Sequence, residues 1–299
     1  MSLKKYRALL EAVECGSLTR AAEKLHYTQP GISHMILSLE EEFGFPLLSR
    51  GKSGVTPTPE CRELLPFLRQ ITGGEDGLQE TVQRIRGLDV GNIRIGCFAS
   101  LSVHILPAVV AAFTERYPGI GLQLYVGEHG ELTRWLREGQ VDLALMSLPV
   151  PEDFRFLPLF DDPIYAVLPE QHPLTAEQTV RPAELVKYPF IMQYFGSDED
   201  ANRVLDGEQL TPNIRFRVRG DDVIQSMVAK NLGVTLAPEL VLSHMPDGLA
   251  LRPLQPPYHR TLGIAFPGSG GSTPALKKLV EYIQAHCQST VKTGRRMEA

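Results

Sequence analysis

The strongest constraint on this chain is a run of apolar positions between residues 59 and 88. Cys61, Leu64, Leu68, Ile71, Leu78, Val82 and Ile85 recur at alternating steps of three and four, with Glu75 the one charged member of the series. That period winds an apolar seam along a helix, and a seam several heptads long asks for a partner helix. Thr58-Pro59 supplies a cap and a first helical position. Pro66 and the Gly73-Gly74 pair weaken a helix interior and predict a kink near them. Leu64, Leu68, Ile71, Leu78, Val82 and Ile85 are the expected dimerisation residues; the alternative is a single helix packed on its own domain.

The long helix separates two blocks of different grammar. Before it, Leu3, Tyr6, Leu9, Leu10 and Val13 recur at helical spacing, Gly16 stops that helix, and Ser17 is placed to cap a second over 18–25. Thr28 caps a third helix running to about Phe43, with Pro30 in the first turn, where its missing amide costs nothing. The segment 47–58 holds Gly51, Gly54 and Pro57 and suits a short β-hairpin. On the third helix Ile32, Ile36, Leu39 and Phe43 share one side. Pro30, Ser33, His34, Leu37, Ser38 and Glu41 share the other. A helix packed by one face and offering small polar groups on the other suits a DNA major groove, although any solvated helix face would look similar.

From Gly91 the pattern becomes strand and helix in alternation. Strands are expected at 92–97, 121–126, 141–146, 164–168, 189–194, 214–218 and 262–266. Helices are expected at 105–117, 130–138, 223–230 and 274–287, with a disordered tail that includes Arg295 and Arg296. Such repetition predicts mainly parallel sheets covered on both faces, with ligands held beyond the carboxyl ends of the strands.

At 299 residues the chain is too long for one ordinary core. A charged content of 22% and a hydrophobic content of 43% argue against disorder. The net charge of −5 rules out a protein coated in basic charge but leaves room for a small basic face. Cys15, Cys61, Cys97 and Cys287 form no C-x-x-C pair, so neither a zinc motif nor a disulfide framework is expected, and no cofactor. The start lacks the apolar stretch of a secretory signal, and runs such as 108–113 are far shorter than a membrane helix needs, so a cytoplasmic protein is expected. No G-x-S-x-G, H-E-x-x-H, Walker loop or strand-following G-x-G-x-x-G occurs, which argues against an enzyme. A solute-binding protein would account for the α/β part, but not for the first 88 residues.

The stretch from Gly16 to Arg50 resembles the DNA-binding signature of the LysR-type regulators. Ser17, Ala21-Ala22, Leu25, Thr28-Gln29-Pro30, Ser33, Leu39-Glu40, Gly44 and Leu47 to Arg50 match in type and spacing. A weaker resemblance continues through His172-Pro173-Leu174 and Asn231 to Pro238. Family members often carry Arg directly after the recognition-helix serine and a basic residue three positions later; here those positions are His34 and Leu37. Residues 1–58 hold seven lysines and arginines against six acidic residues, so phosphate attraction should concentrate at Arg20, Arg50 and Lys52.

The resemblance implies a multidomain α + α/β chain. Residues 1–58 would be a winged helix-turn-helix, 59–88 a linker helix, and 89–299 a two-lobed, periplasmic-binding-protein-like regulatory domain. Lobe I would be about 91–161 with 262–287, and lobe II about 162–261. The implied function is transcription regulation modulated by a small-molecule effector. The implied partners are double-stranded DNA, further copies of the chain as a homodimer or homotetramer, and RNA polymerase, with no membrane. Implied DNA contacts are Ser17, Thr28, Gln29, Pro30, Ser33, His34, Leu37, Ser38, Arg50 and Lys52. Implied effector contacts are Ser100, Leu101, Ser102, Glu128, Ser147, Gln193, Phe195, Asp221 and Thr235. Ser100 and Ser102, between a strand and a helix, could hold an anion, whereas Glu128 and Asp221 would oppose one, so the charge of the ligand stays open. Cys97 reads as a buried small hydrophobe rather than a redox sensor.

Overall fold

The computed structural model describes residues 2–51, 54–85, 91–194, 199–268 and 273–292. Its N-terminal head is α1 (Leu3–Cys15), α2 (Leu18–Lys24) and α3 (Gln29–Phe43), followed by β1 (Leu48–Gly51) and β2 (Gly54–Pro57). Tyr6, Leu9 and Ala12 of α1 meet Ile32, Ile36 and Leu39 of α3 in one buried cluster. Thr28 Oγ1 accepts from the Gly31 amide at 3.2 Å, satisfying a donor that the first helical turn leaves open. The hairpin is antiparallel, Leu48 facing Pro57. Glu40 Oε1 accepts from the amides of Leu47 and Leu48 at 2.7 and 3.1 Å, tying the hairpin to α3. Gly54 has φ +117° and lies so close to the Gly16 carbonyl that a Cβ there would overlap it. Only glycine meets both demands.

The helix α4 (Pro59–Ile85) runs unbroken through Pro66 and the glycine pair. Its first turns belong to the head, because Cys61, Leu65 and Leu68 are buried against it. This corrects the expected seam: Leu68 is part of its own domain's core and cannot face a partner chain. The solvent-facing apolar side chains of α4 are instead Phe67 (62% exposed), Ile71 (47%) and Leu78 (62%). Their steps of four and seven keep the heptad period and turn the open stripe away from Leu68. Leu64 and Val82 are half-buried, and the side chain of Ile85 lies outside the described residues.

The remainder contains β3 (Gly91–Cys97), α5 (Ala99–His104), α6 (Leu106–Arg116), β4 (Ile120–Val126), α7 (His129–Arg137) and β5 (Leu143–Ser147). These are followed by β6 (Phe154–Pro169), α8 (Pro182–Leu185), β7 (Pro189–Gln193), α9 (Glu199–Gly207), β8 (Asn213–Val218), α10 (Asp221–Ala229), β9 (Thr235–Pro238), β10 (Leu249–Pro267) and α11 (Pro274–Lys292). Among the described residues one ladder runs β4-β3-β5-β10-β6-β9, and β7 pairs with β8. The expectation of mainly parallel sheets needs correction. β3 is parallel to β4 and β5, but β10 is antiparallel to β5 and β6, and β6 is antiparallel to β9.

The difference comes from two strands much longer than their apolar runs. β6 begins at Phe154 and β10 at Leu249, because main-chain pairing extends through Asp161, Asp162 and Arg260, which carry no strand-like alternation. The short helix α5 was also unforeseen. The end of α11 outlasts the expected Cys287; Arg295 and Arg296 lie outside the described residues. One core gathers Ile93, Ile95, Phe113, Leu143, Leu145, Ile264, Leu279 and Ile283, and a second gathers Ile164, Leu168, Phe190, Val204 and Leu236. Burial is worth roughly 1.5–3 kcal/mol per large apolar side chain, and each cluster contributes that driving force to its own part of the fold. No helix among the described residues is long and apolar enough to cross a membrane.

Candidate functional site

Two regions gather the residues singled out from the sequence. The first is the outer face of α3, where Gln29, Pro30, His34 and Leu37 are exposed and Ser33 is half-buried. Arg50, from β1, extends a guanidinium Nη2 to Ser33 Oγ at 3.4 Å, so hairpin and helix present one surface. Ser17 and Thr28 use their side-chain oxygens to cap α2 and α3. Ser38, one turn after His34, is half-buried beside that face, and its hydroxyl accepts from Lys5 Nζ of α1 at 2.8 Å. Arg20 donates to the Cys15 carbonyl at the end of α1. Lys52 lies outside the described residues.

The second region is a cleft where the ends of β3 and β5 face α9, α10 and β9. Ser100, Glu128, Ser147, Gln193, Asp221 and Thr235 all line it. Leu101 does not: it is wholly buried in the first lobe's core. Ser102 does not either; its hydroxyl donates to the Ala99 carbonyl at 2.7 Å, within its own helix. α5 turns the two serines apart, one toward the cleft and one back along the chain. Phe195 lies outside the described residues.

The sequence did not point to Arg260, Asp200 or Gln225, and these organise the cleft. Arg260 is only 5% exposed. Its Nε donates to Asp162 Oδ2 at 2.9 Å, its Nη1 to Asp200 Oδ2 at 3.1 Å, and its Nη2 to Ser100 Oγ at 3.3 Å. It also stands 5.8 Å from the Phe98 ring centre. Burial raises the Asp162 carboxyl above the usual aspartate range, and the Arg260 guanidinium and the Leu240 amide oppose that rise. Asp221 is pushed up to about 6, first by burial and then by the charge of Glu128. Gln225 is 3% exposed; its Nε2 donates to the Val241 carbonyl at 3.0 Å. The only local hint of Arg260 was a cation set against the apolar run of β10, and its partners lie 60 and 98 residues away in sequence.

Cys61, Cys97 and Cys287 are buried free thiols, each pushed up to about 11 by desolvation, which disfavours the reactive thiolate. Among the described residues no group of His, Cys, Asp and Glu is arranged to hold a metal ion.

Comparison with known proteins places these features in one family. Residues 3–62 match the bacterial regulatory helix-turn-helix of the lysR family, and residues 86–288 match the LysR substrate binding domain. The chain is 30% identical over 298 residues to a probable HTH-type transcriptional regulator, LrrA, of Synechococcus elongatus, covering 98% of this chain and all of that one. It is also 30% identical to the Hca operon transcriptional activator HcaR of Escherichia coli, covering 97% and 99%. Its fold matches a full-length OxyR variant from Pseudomonas aeruginosa with a TM-score of 0.80 at 25% identity, covering 96% and 95%. With a winged helix-turn-helix at one end, an effector-binding domain at the other and relatives aligned along the whole length, the chain belongs to the LysR family of DNA-binding transcription regulators.

Proposed function

We propose that residues 1–58 read DNA, that 59–88 join two chains, and that 89–299 bind a small-molecule effector between lobe I (about 91–161 with 262–287) and lobe II (about 162–261). Gln29, Pro30, Ser33, His34 and Leu37 reach the major groove, Ser17 and Thr28 hold the helix ends that approach phosphate, and Arg50 and Lys52 add phosphate contacts. Base-edge groups specify sequence, and phosphate contacts set position. Ser100, Glu128, Ser147, Gln193, Asp221 and Thr235 meet the effector, together with Arg260 and Gln225. The protein works in the cytoplasm as a homodimer or a dimer of dimers, responds to its effector at promoters through RNA polymerase, and catalyses no reaction.

The observation that carries this reading is that one chain joins an exposed polar helix face, flanked by the Arg50 hairpin, to a polar cleft between two lobes. The test is repeated selection of bound duplexes from a random-sequence DNA pool by the full-length protein. The expected result is enrichment of a two-fold symmetric element, as two heads held by paired linker helices require. Recovery of sequences no different from the starting pool would reject the reading.

A further inference from the structure

We propose that the cleft takes an organic cation, an amine or guanidine carrying an apolar portion, held between the Glu128 and Asp221 carboxylates and the side-chain carbonyl of Gln225. This rests on the reading of the cleft as the effector site. Its lining carries three carboxylates, Glu128, Asp200 and Asp221, against one guanidinium, Arg260. That guanidinium is already committed to Asp200, to Ser100 and to Asp162 directly behind it. A ligand carboxylate would compete with two aspartates for the same cation and meet two further like charges in a water-poor site.

Gln225 gives the independent evidence. Its amide orientation is fixed, because the nitrogen donates to the Val241 carbonyl and an oxygen there would repel it. The oxygen Oε1 is buried with no hydrogen-bond partner among the described residues. A buried acceptor left unpaired is costly, and a ligand N–H removes that cost. Gln225 stands one helical turn after Asp221 on α10, so the two side chains share a face and both line the cleft. The raised carboxyl of Asp221 has the same origin: two carboxylates near each other in a desolvated site, which a cation placed between them relieves. Phe98, Met192, Ile224 and Leu236 supply apolar wall for the rest of the molecule.

The experiment is calorimetric titration of the full-length protein near neutral pH with pairs of opposite charge on one skeleton: phenethylamine against hydrocinnamate, and butylamine against valerate. Each amine should bind about tenfold or more tightly than its carboxylate counterpart. Asp221→Asn, Glu128→Gln and Gln225→Leu, each first shown by circular dichroism to be folded, should each weaken phenethylamine about tenfold. Asp221→Asn should leave hydrocinnamate unchanged or improved. A panel in which no amine outbinds its counterpart overturns the proposal, as does amine affinity untouched by all three substitutions. If hydrocinnamate is preferred and Gln225→Leu or Ser100→Val weakens it, the cation class fails while the effector cleft stands. If a probe binds and no cleft substitution alters its affinity, the effector-cleft reading fails as well.

Discussion

Arg69, on the linker helix α4, donates a guanidinium N–H to the main-chain carbonyl of Glu138 at 2.7 Å, where α7 ends. The other end of α7 begins at Glu128 and His129, in the wall of the cleft. Gly139, at φ +63°, lets the two helices approach, since a Cβ there would meet Arg69 Cβ at 3.1 Å. One rigid helix therefore touches the cleft with its first turn and the linker with its last.

That contact predicts the route of coupling. Arg69→Met should leave effector affinity and basal DNA affinity within about twofold of the wild type while reducing the effect of each ligand on the other. Calorimetric titration of effector with and without bound DNA measures both directions of the coupling. Wild-type coupling in the variant would show that α7 does not carry it.

The linker stripe predicts assembly. Phe67→Lys or Leu78→Lys places a charge where two α4 helices would meet, and sedimentation should show smaller species with weaker DNA binding. Leu68→Ala should instead behave as a core truncation, lowering stability by about 2–5 kcal/mol with assembly retained. Lysine variants with the wild-type mass would return α4 to packing on its own domain only.

The head predicts a division of labour. Ser33→Ala and His34→Ala should change which sequences are enriched from a random pool. Arg50→Ala should weaken binding to every sequence and flatten the dependence of affinity on salt. An unchanged salt slope in Arg50→Ala would remove the hairpin from the DNA contact.

The cleft predicts a dependence on pH. Asp221 titrates at about 6, against an ordinary value of 3.8, among Glu128, Asp200, Asp222, Arg260 and His129. Because the folded protein holds this proton more tightly than the unfolded chain does, the group stabilises the fold at low pH and loses that contribution as pH rises through about 6. An amine stays protonated over the same range, so its affinity should rise as Asp221 ionises. Titrations at intervals across this window check the slope, and a flat profile would remove Asp221 from the contact.

The central cation predicts a large loss of stability. Arg260→Ala leaves Asp162, 2% exposed, without its counter-charge and should cost about 3–5 kcal/mol in urea unfolding. A cost below about 1 kcal/mol would mean that water reaches Asp162 readily.

The sequence made much of this legible where a local rule applies. Thr28 and Pro30 marked the start of α3 because capping acts within one turn, and Ile32, Ile36 and Leu39 marked its buried side by period. Leu68 was misplaced because helical spacing reports that a side chain is apolar, not which of two apolar surroundings it faces. Ser102 failed for a similar reason: two serines two residues apart on a helix point in different directions. Arg260, Asp162 and Asp200 come together only through tertiary pairing, which no local pattern records.

The paired strands β6 and β10 have a mechanical consequence. They run side by side from Phe154 and Pro267 in one lobe to Pro169 and Leu249 in the other, with register shifts between Pro253 and Tyr258 and between Leu262 and Gly263. A continuous ribbon of main-chain hydrogen bonds resists swinging like a loose cord, and its compliance is concentrated where the ladder is interrupted. Arg260 sits on the short, regularly paired stretch between those two interruptions. Its ties to Asp162 and Asp200 thus brace the segment between the two joints, in the wall of the cleft. A change in the charges that meet Arg260 is thereby a change in how firmly that segment of the ribbon is held.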